Sequence, residues 1–151
     1  MEKSTQTGRI TYENETTLLA ERLAITEVAE KWTVSVVKLP RKYSADFALI
    51  REGGGERKVV AWAEFKSRTN PIDKYKNYQV SLHKYMRMTS IAAETGIMSL
   101  LIVQWTDCMG YIQLPTPVNV VFGGTYNRDD WEDREPMVEI PNSMFKILSR
   151  K

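Results

Sequence analysis

Asp46, Glu64 and Lys66 are charged side chains whose spacing could serve hydrolysis; all lie in SADFALIREGGGERKVVAWAEFK, Ser44 to Lys66. A hard cation such as magnesium takes oxygen ligands, and a facing aspartate and glutamate supply two carboxylates with backbone carbonyls nearby. An ammonium beside them can bind a scissile phosphate, offset charge that builds up in a transition state, or orient an attacking water. Asp46 lies eight residues before Gly54 and Glu64 ten after it, so a hairpin turning at the glycines brings the acids together. Side chains alternate along a strand, which sends Glu64 and Lys66 to one face and Phe65 to the other. Strand-edge charges or an ordinary ion pair would use the same residues. A second such triplet, Glu56-Arg57-Lys58, sits beside the glycine turn with no partner acid and reads as solvated surface.

The flanking pattern predicts the elements that carry this stretch. Leu18, Leu19, Leu23, Ile25, Val28 and Ala29 form an apolar stripe at helical spacing, interleaved with glutamates. Trp32 to Leu39 is rich in β-branched residues and reads as a strand that Pro40 stops. After the turn Arg68 to Asp73, a helix is expected over Lys74 to Thr95, with Tyr75, Tyr78, Leu82, Tyr85 and Ala92 on one face and Gly96 as its stop. Met98 to Trp105 is almost wholly apolar, as a central strand buried on both faces would be. Strand, helix and strand in succession imply a right-handed crossover with the outer two parallel. Beyond Thr106, GYIQLP, VNVVF and MVEIP look like short strands, GGTYNRDDWEDREP like a loop, and Asn142 like the cap of a last helix through Leu148.

Composition bounds the function. The chain has 151 residues, 42% hydrophobic and 26% charged, which suits a globular protein and argues against disorder. It is expected to be a single domain, 1–151, with 1–12 as a loose arm and 106–151 as a C-terminal extension of the same domain. No apolar run is long enough to span a membrane and no leader peptide is legible, so a cytoplasmic location is expected. One cysteine and one histidine leave no zinc cluster and no internal disulfide. Net charge is only +2, but Lys66, Arg68, Lys74, Lys76, Lys84 and Arg87 face a single acid, Asp73, over their stretch. That stripe would attract a phosphate backbone, although solvated surface is the commoner use of such charge. Arg68, Lys74 and Lys76 are the candidates for backbone contact, and His83 could face a phosphate or be an ordinary boundary histidine.

In this order, helix, strand, hairpin with Asp and Glu-x-Lys, basic helix and buried strand, the chain resembles the PD-(D/E)XK nuclease superfamily, particularly its small resolvase-like and phage-encoded members. The resemblance covers Leu18 to Trp105. Asp46 matches the motif aspartate and Glu64-Phe65-Lys66 the (D/E)XK triplet, although Ala45 stands where proline is usual. Glu21 looks like the acid on the first helix of the resolvases, with Glu13, Glu15 and Glu27 as competitors, and Gln79 falls where relatives place a glutamine on the second core helix. The resemblance implies an α/β, restriction-endonuclease-like αβββαβ core with a mixed central sheet flanked by helices. It further implies that Asp46, Glu64 and the Phe65 carbonyl hold Mg²⁺ or Mn²⁺ and that Lys66 positions or activates water. Glu21 would bind a second metal or its water shell, and Gln79 would fix the site or touch phosphate. The implied function is metal-dependent hydrolysis of DNA, with branched or junction DNA as the candidate substrate and a homodimer as the candidate assembly. A nuclease-fold protein that binds nucleic acid or a protein partner without cutting is the alternative.

Overall fold

The computed structural model describes residues 15–124 and 134–151; the expected arm over 1–12 and the acidic loop around Trp131 lie outside them. Helix α1 (Glu15–Trp32) packs through Ala24 and Val28, four apart on one face, where the small alanine lets the backbone lie close to the sheet. Leu19 and Leu23, expected in the buried stripe, are instead 56% and 62% exposed, because the helix turns this smaller-residue row inward. α1 also runs to Trp32, into the segment expected to be a strand. Thr33 then takes a left-handed conformation, φ 53°, and β1 (Ser35–Lys38) follows.

β1, β2 (Phe47–Gly53) and β3 (Glu56–Ser67) form an antiparallel meander. Gly54 and Gly55 close the β2–β3 hairpin with φ of 60° and 80°, the paired positive values of a type I′ turn. β3 then pairs in parallel with β5 (Met98–Gln104), as the crossover rule requires. β5 buries every residue from Ser99 to Val103, which explains its unbroken apolar run. β6 (Cys108–Leu114) and β9 (Lys146–Arg150) complete a six-stranded mixed sheet in the order β1-β2-β3-β5-β6-β9.

The helix expected over Lys74 to Thr95 begins later. Residues Asn77–Ser81 form a strand, β4, in which Tyr78 is buried, Val80 packs partly buried in the same core and Gln79 is exposed: a period of two, not of 3.6. α2 (Leu82–Thr95) starts where the Ser81 side chain accepts the Lys84 backbone N–H, and ends at Gly96, φ 73°. β4 joins β8 (Arg134–Pro141) and β7 (Asn119–Gly124) in a second, antiparallel sheet in the order β4-β8-β7. The C-terminal third therefore both extends the main sheet and builds another. No final helix follows Asn142. A short 3₁₀ turn, Asn142–Met144, leads into β9, and the buried Asn142 amide donates to the carbonyls of Ile72 and Tyr75 instead of capping a helix.

Each face of the main sheet carries its own core. Phe47, Leu49, Ala61, Ala63, Phe65 and Ile102 meet α1 on one side. Leu101, Val103 and Trp105 meet Met88 of α2 and Tyr78, Val138 and Ile140 of the second sheet on the other. The order α1-β1-β2-β3-α2-β5 is the restriction-endonuclease-like αβββαβ core, with β4 inserted ahead of α2.

Candidate active site

A bulge aligns the two acids. Ile50 pairs with Val59 but Leu49 with Ala61, so Val60 is an extra residue in β3. With that shift Phe47 faces Ala63, and Asp46, the next residue out, comes opposite Glu64. An unbulged hairpin would set Asp46 against Ala63 and leave Glu64 pointing to the other face. Phe65 turns to the α1 side, where it meets Phe47 edge-on with ring centroids 5.0 Å apart, and this fixes the face on which its neighbours emerge.

The site is built around a buried carboxylate. The Glu64 side chain is 3% exposed, while that of Asp46 is 43% exposed. Lys66 Nζ stands 3.4 Å from Glu64 Oε2, and Lys84 Nζ stands 2.9 Å from Glu64 Oε1 and 3.6 Å from Asp46 Oδ1. Burial pushes the Glu64 carboxyl above its ordinary value; the Lys84 ammonium opposes this, and the nearby Asp46 adds to it. Glu64 Oε1 is buried without an aligned hydrogen bond, so its contact with Lys84 is proximity of charge more than a directed bond. α2 also grips the chain leading into β2: Lys84 Nζ donates to the Ser44 carbonyl and Arg87 Nη2 to the Tyr43 carbonyl.

The other expected residues are placed as follows. Glu21, on α1, lines a small cavity of about 240 Å³ with Phe65, Lys66 and Gln104. Among the described residues no group of three acids, histidines or cysteines is gathered, so Glu21 does not join Asp46 and Glu64 in one cluster. Gln79 is not on the second helix; it is on β4, where its amide donates to Glu139 Oε2 at 3.0 Å. The period-two burial of Tyr78 and Val80 explains the displacement. Arg68 follows directly after β3, stacks over Tyr78 at 4.5 Å and donates to its hydroxyl at 2.7 Å. Burial raises that hydroxyl to about 12, with Arg68 opposing and Glu64 reinforcing the shift. Arg68, Lys76, Tyr75 and Gln79 line a polar cleft of about 500 Å³. Lys74, Lys76 and His83 are exposed. Sequence reasoning counted Lys84 only as part of the basic stripe. Its signal is a lysine in the first turn of a helix that has no acid there, a position the helix dipole disfavours.

The donor set suits a hard divalent cation. Two carboxylates converge on a point where a positive charge already sits, and one of their oxygens is buried without a directed partner. Magnesium needs few protein ligands, because it keeps much of its water.

An aspartate opposite Glu-x-Lys on a hairpin, with a parallel crossover behind it, defines the PD-(D/E)XK nuclease class. The chain belongs to the family described as "Phage putative PDDEXK endonuclease", whose model matches residues 7–148. Its fold is similar to that of Hjc from Archaeoglobus fulgidus, a Holliday junction resolvase, with a TM-score of 0.52, 12% identity and 83% of each chain covered. D212, a nuclease from a fusselovirus, aligns with a TM-score of 0.49 and 15% identity over 98% of this chain and 90% of its own. No curated protein matches the sequence.

Proposed function

We propose that this protein is a metal-dependent endonuclease that hydrolyses DNA phosphodiester bonds and prefers branched or junction DNA. The observation that carries the reading is the buried Glu64 facing Asp46 across the bulged hairpin, with Lys66 on the same face. Binding alone gives no reason to bury a carboxylate at a surface meant for DNA. Asp46 and Glu64, with the Phe65 carbonyl, would hold Mg²⁺ or Mn²⁺, which when bound supplies an acidified water and offsets charge on the phosphate. Lys66, whose side chain is 45% exposed, is free to reach solvent and orients the attacking water or the scissile phosphate. Tyr78, whose hydroxyl accepts from Arg68, feels the Glu64 charge, and Glu21 lines a small cavity together with Lys66.

Arg68, Lys74, Lys76 and His83 supply backbone contacts, which need charge but no base identity. The preference for branched DNA rests on the likeness in fold to a junction resolvase. A homodimer would present two sites to such a substrate, and Leu19 and Leu23, exposed one turn apart on α1, offer it an apolar contact. The expected place of action is the cytoplasm of a phage-infected cell; among the described residues no helix is long and apolar enough to cross a membrane. Asp46→Ala should abolish metal-dependent cleavage of a labelled four-way junction while leaving its binding in EDTA intact. Unchanged cleavage by that variant would refute the assignment.

A further inference from the structure

We propose that Lys84 is a resident cation of the carboxylate pair: its ammonium keeps the position that a divalent ion takes, is displaced when that ion binds, and then serves as a second contact for the substrate phosphate. The geometry carries the first part. Among the described residues Lys84 Nζ is the one positive charge within reach of both acids, at 2.9 Å from Glu64 and 3.6 Å from Asp46, whereas Lys66 reaches only the far oxygen of Glu64. The Lys84 side chain is 22% exposed, so most of it is withdrawn from solvent. A divalent ion bound by the same two oxygens would lie within a few ångströms of the ammonium, and two cations so close, beside a buried carboxylate, repel strongly.

The helix itself gives Lys84 no reason to stay. It occupies the first turn of α2, where the aligned peptide dipoles favour negative charge and no acid is present. The two carboxylates and the Ser44 carbonyl hold it there. Once a metal neutralises the acids, the attraction is lost, while the flexible stem keeps the ammonium tethered at the site mouth beside Lys66. A phosphate entering at that mouth would meet two lysines, one from β3 and one from α2. The acids thereby remain poised in the absence of metal without two unneutralised carboxylates facing each other.

The phosphate contact rests on the proposed endonuclease activity; the exchange with metal does not. Lys84→Met keeps the stem and removes the charge. Mn²⁺ binding, followed by electron paramagnetic resonance, should tighten at least about threefold in this variant, while single-turnover cleavage at saturating Mn²⁺ slows at least about tenfold. A merely structural ion pair gives the opposite sign, since losing it would loosen the acids and weaken the metal. Equal or weaker Mn²⁺ affinity overturns the exchange, and tighter affinity with an unchanged rate overturns the phosphate contact. If Lys84→Met does not fold, the native protein decides the exchange: reductive dimethylation of Lys84, read by peptide mass spectrometry, should rise several-fold with Mg²⁺, and unchanged reactivity overturns it. Native protein that binds Mn²⁺ but cuts no DNA refutes the endonuclease reading and the phosphate contact with it, while the affinities still decide the exchange.

Discussion

Glu64→Gln should make the protein more stable without metal and less stable with it. The Glu64 side chain is only 3% exposed, and burial raises its carboxyl above the ordinary value despite the Lys84 ammonium 2.9 Å away. A carboxyl whose folded pKa is raised contributes stability below its unfolded pKa and loses it as the pH rises through the folded value. Above the ordinary glutamate range the raised carboxyl is therefore a cost to folding, and glutamine, which cannot ionise, avoids it. Relief of such active-site tension is commonly worth about 1 kcal/mol, or about 2–4 °C in Tm for a chain of this size. Metal reverses the order. At a free concentration about 100 times its Kd, a bound ion stabilises the native protein by about 2.7 kcal/mol, or about 5–11 °C, and the glutamine variant forgoes most of this. Thermal melts of both proteins at pH 7.5, in EDTA and in Mg²⁺, should therefore cross. The advantage of the variant in EDTA should also shrink as the pH falls below the ordinary glutamate range, where the native residue is protonated in both states. A variant that melts several degrees below the native protein in EDTA at pH 7.5 would refute this reasoning, because the two lysines would then outweigh burial.

Other substitutions probe other parts of the account. Asn142→Ala removes two hydrogen bonds that tie the carbonyls of Ile72 and Tyr75 to the end of β8. At about 1 kcal/mol each it should lower stability by about 2 kcal/mol in urea melts, with no change in the rate per folded molecule. Lys76→Ala, at an exposed position lining the polar cleft, should weaken DNA binding and reduce the slope of log K against log salt by about one; an unchanged slope would remove Lys76 from the interface. Gln79→Ala should alter the cleavage rate by less than about threefold, since the side chain is exposed on β4 and bonded to Glu139; a loss of 100-fold would return it to the active centre.

The hairpin was legible because two independent signals agree on it: glycines for the turn, and charges gathered at the far ends of its arms. The bulge at Val60 was hidden, since nothing in Val59-Val60-Ala61 distinguishes the residue that is left unpaired, although the unequal counts from the turn to Asp46 and to Glu64 depend on it. β5 was equally clear, as a strand buried on both faces has no polar face to confuse its period. The start of α2 was misread because Tyr75, Tyr78 and Leu82 also satisfy helical spacing. Tyr78 is in fact buried as part of a strand, beside a second sheet whose other members, β7 and β8, come some forty residues or more later in the chain. That error carried Gln79 onto the helix and concealed Lys84, which gains its place only once Ser81 is seen to be the cap. On α1 Val28 was legible in the stripe, but Leu19 and Leu23 drew attention from the smaller Ala24, which allows closer approach to the sheet.

Whether Asp46, Glu64 and Lys66 form a hydrolytic centre for DNA is decided by cleavage of a labelled panel of linear duplex, single strand, flap and four-way junction. Native protein and Lys66→Ala would be compared in Mg²⁺, Mn²⁺ and EDTA. The native protein should cut, most strongly on the branched substrates, with no cutting in EDTA and a loss of at least about 100-fold in the variant. Cutting that persists in EDTA or is unchanged in Lys66→Ala would contradict the assignment, as would tight binding of one substrate with no cutting of any.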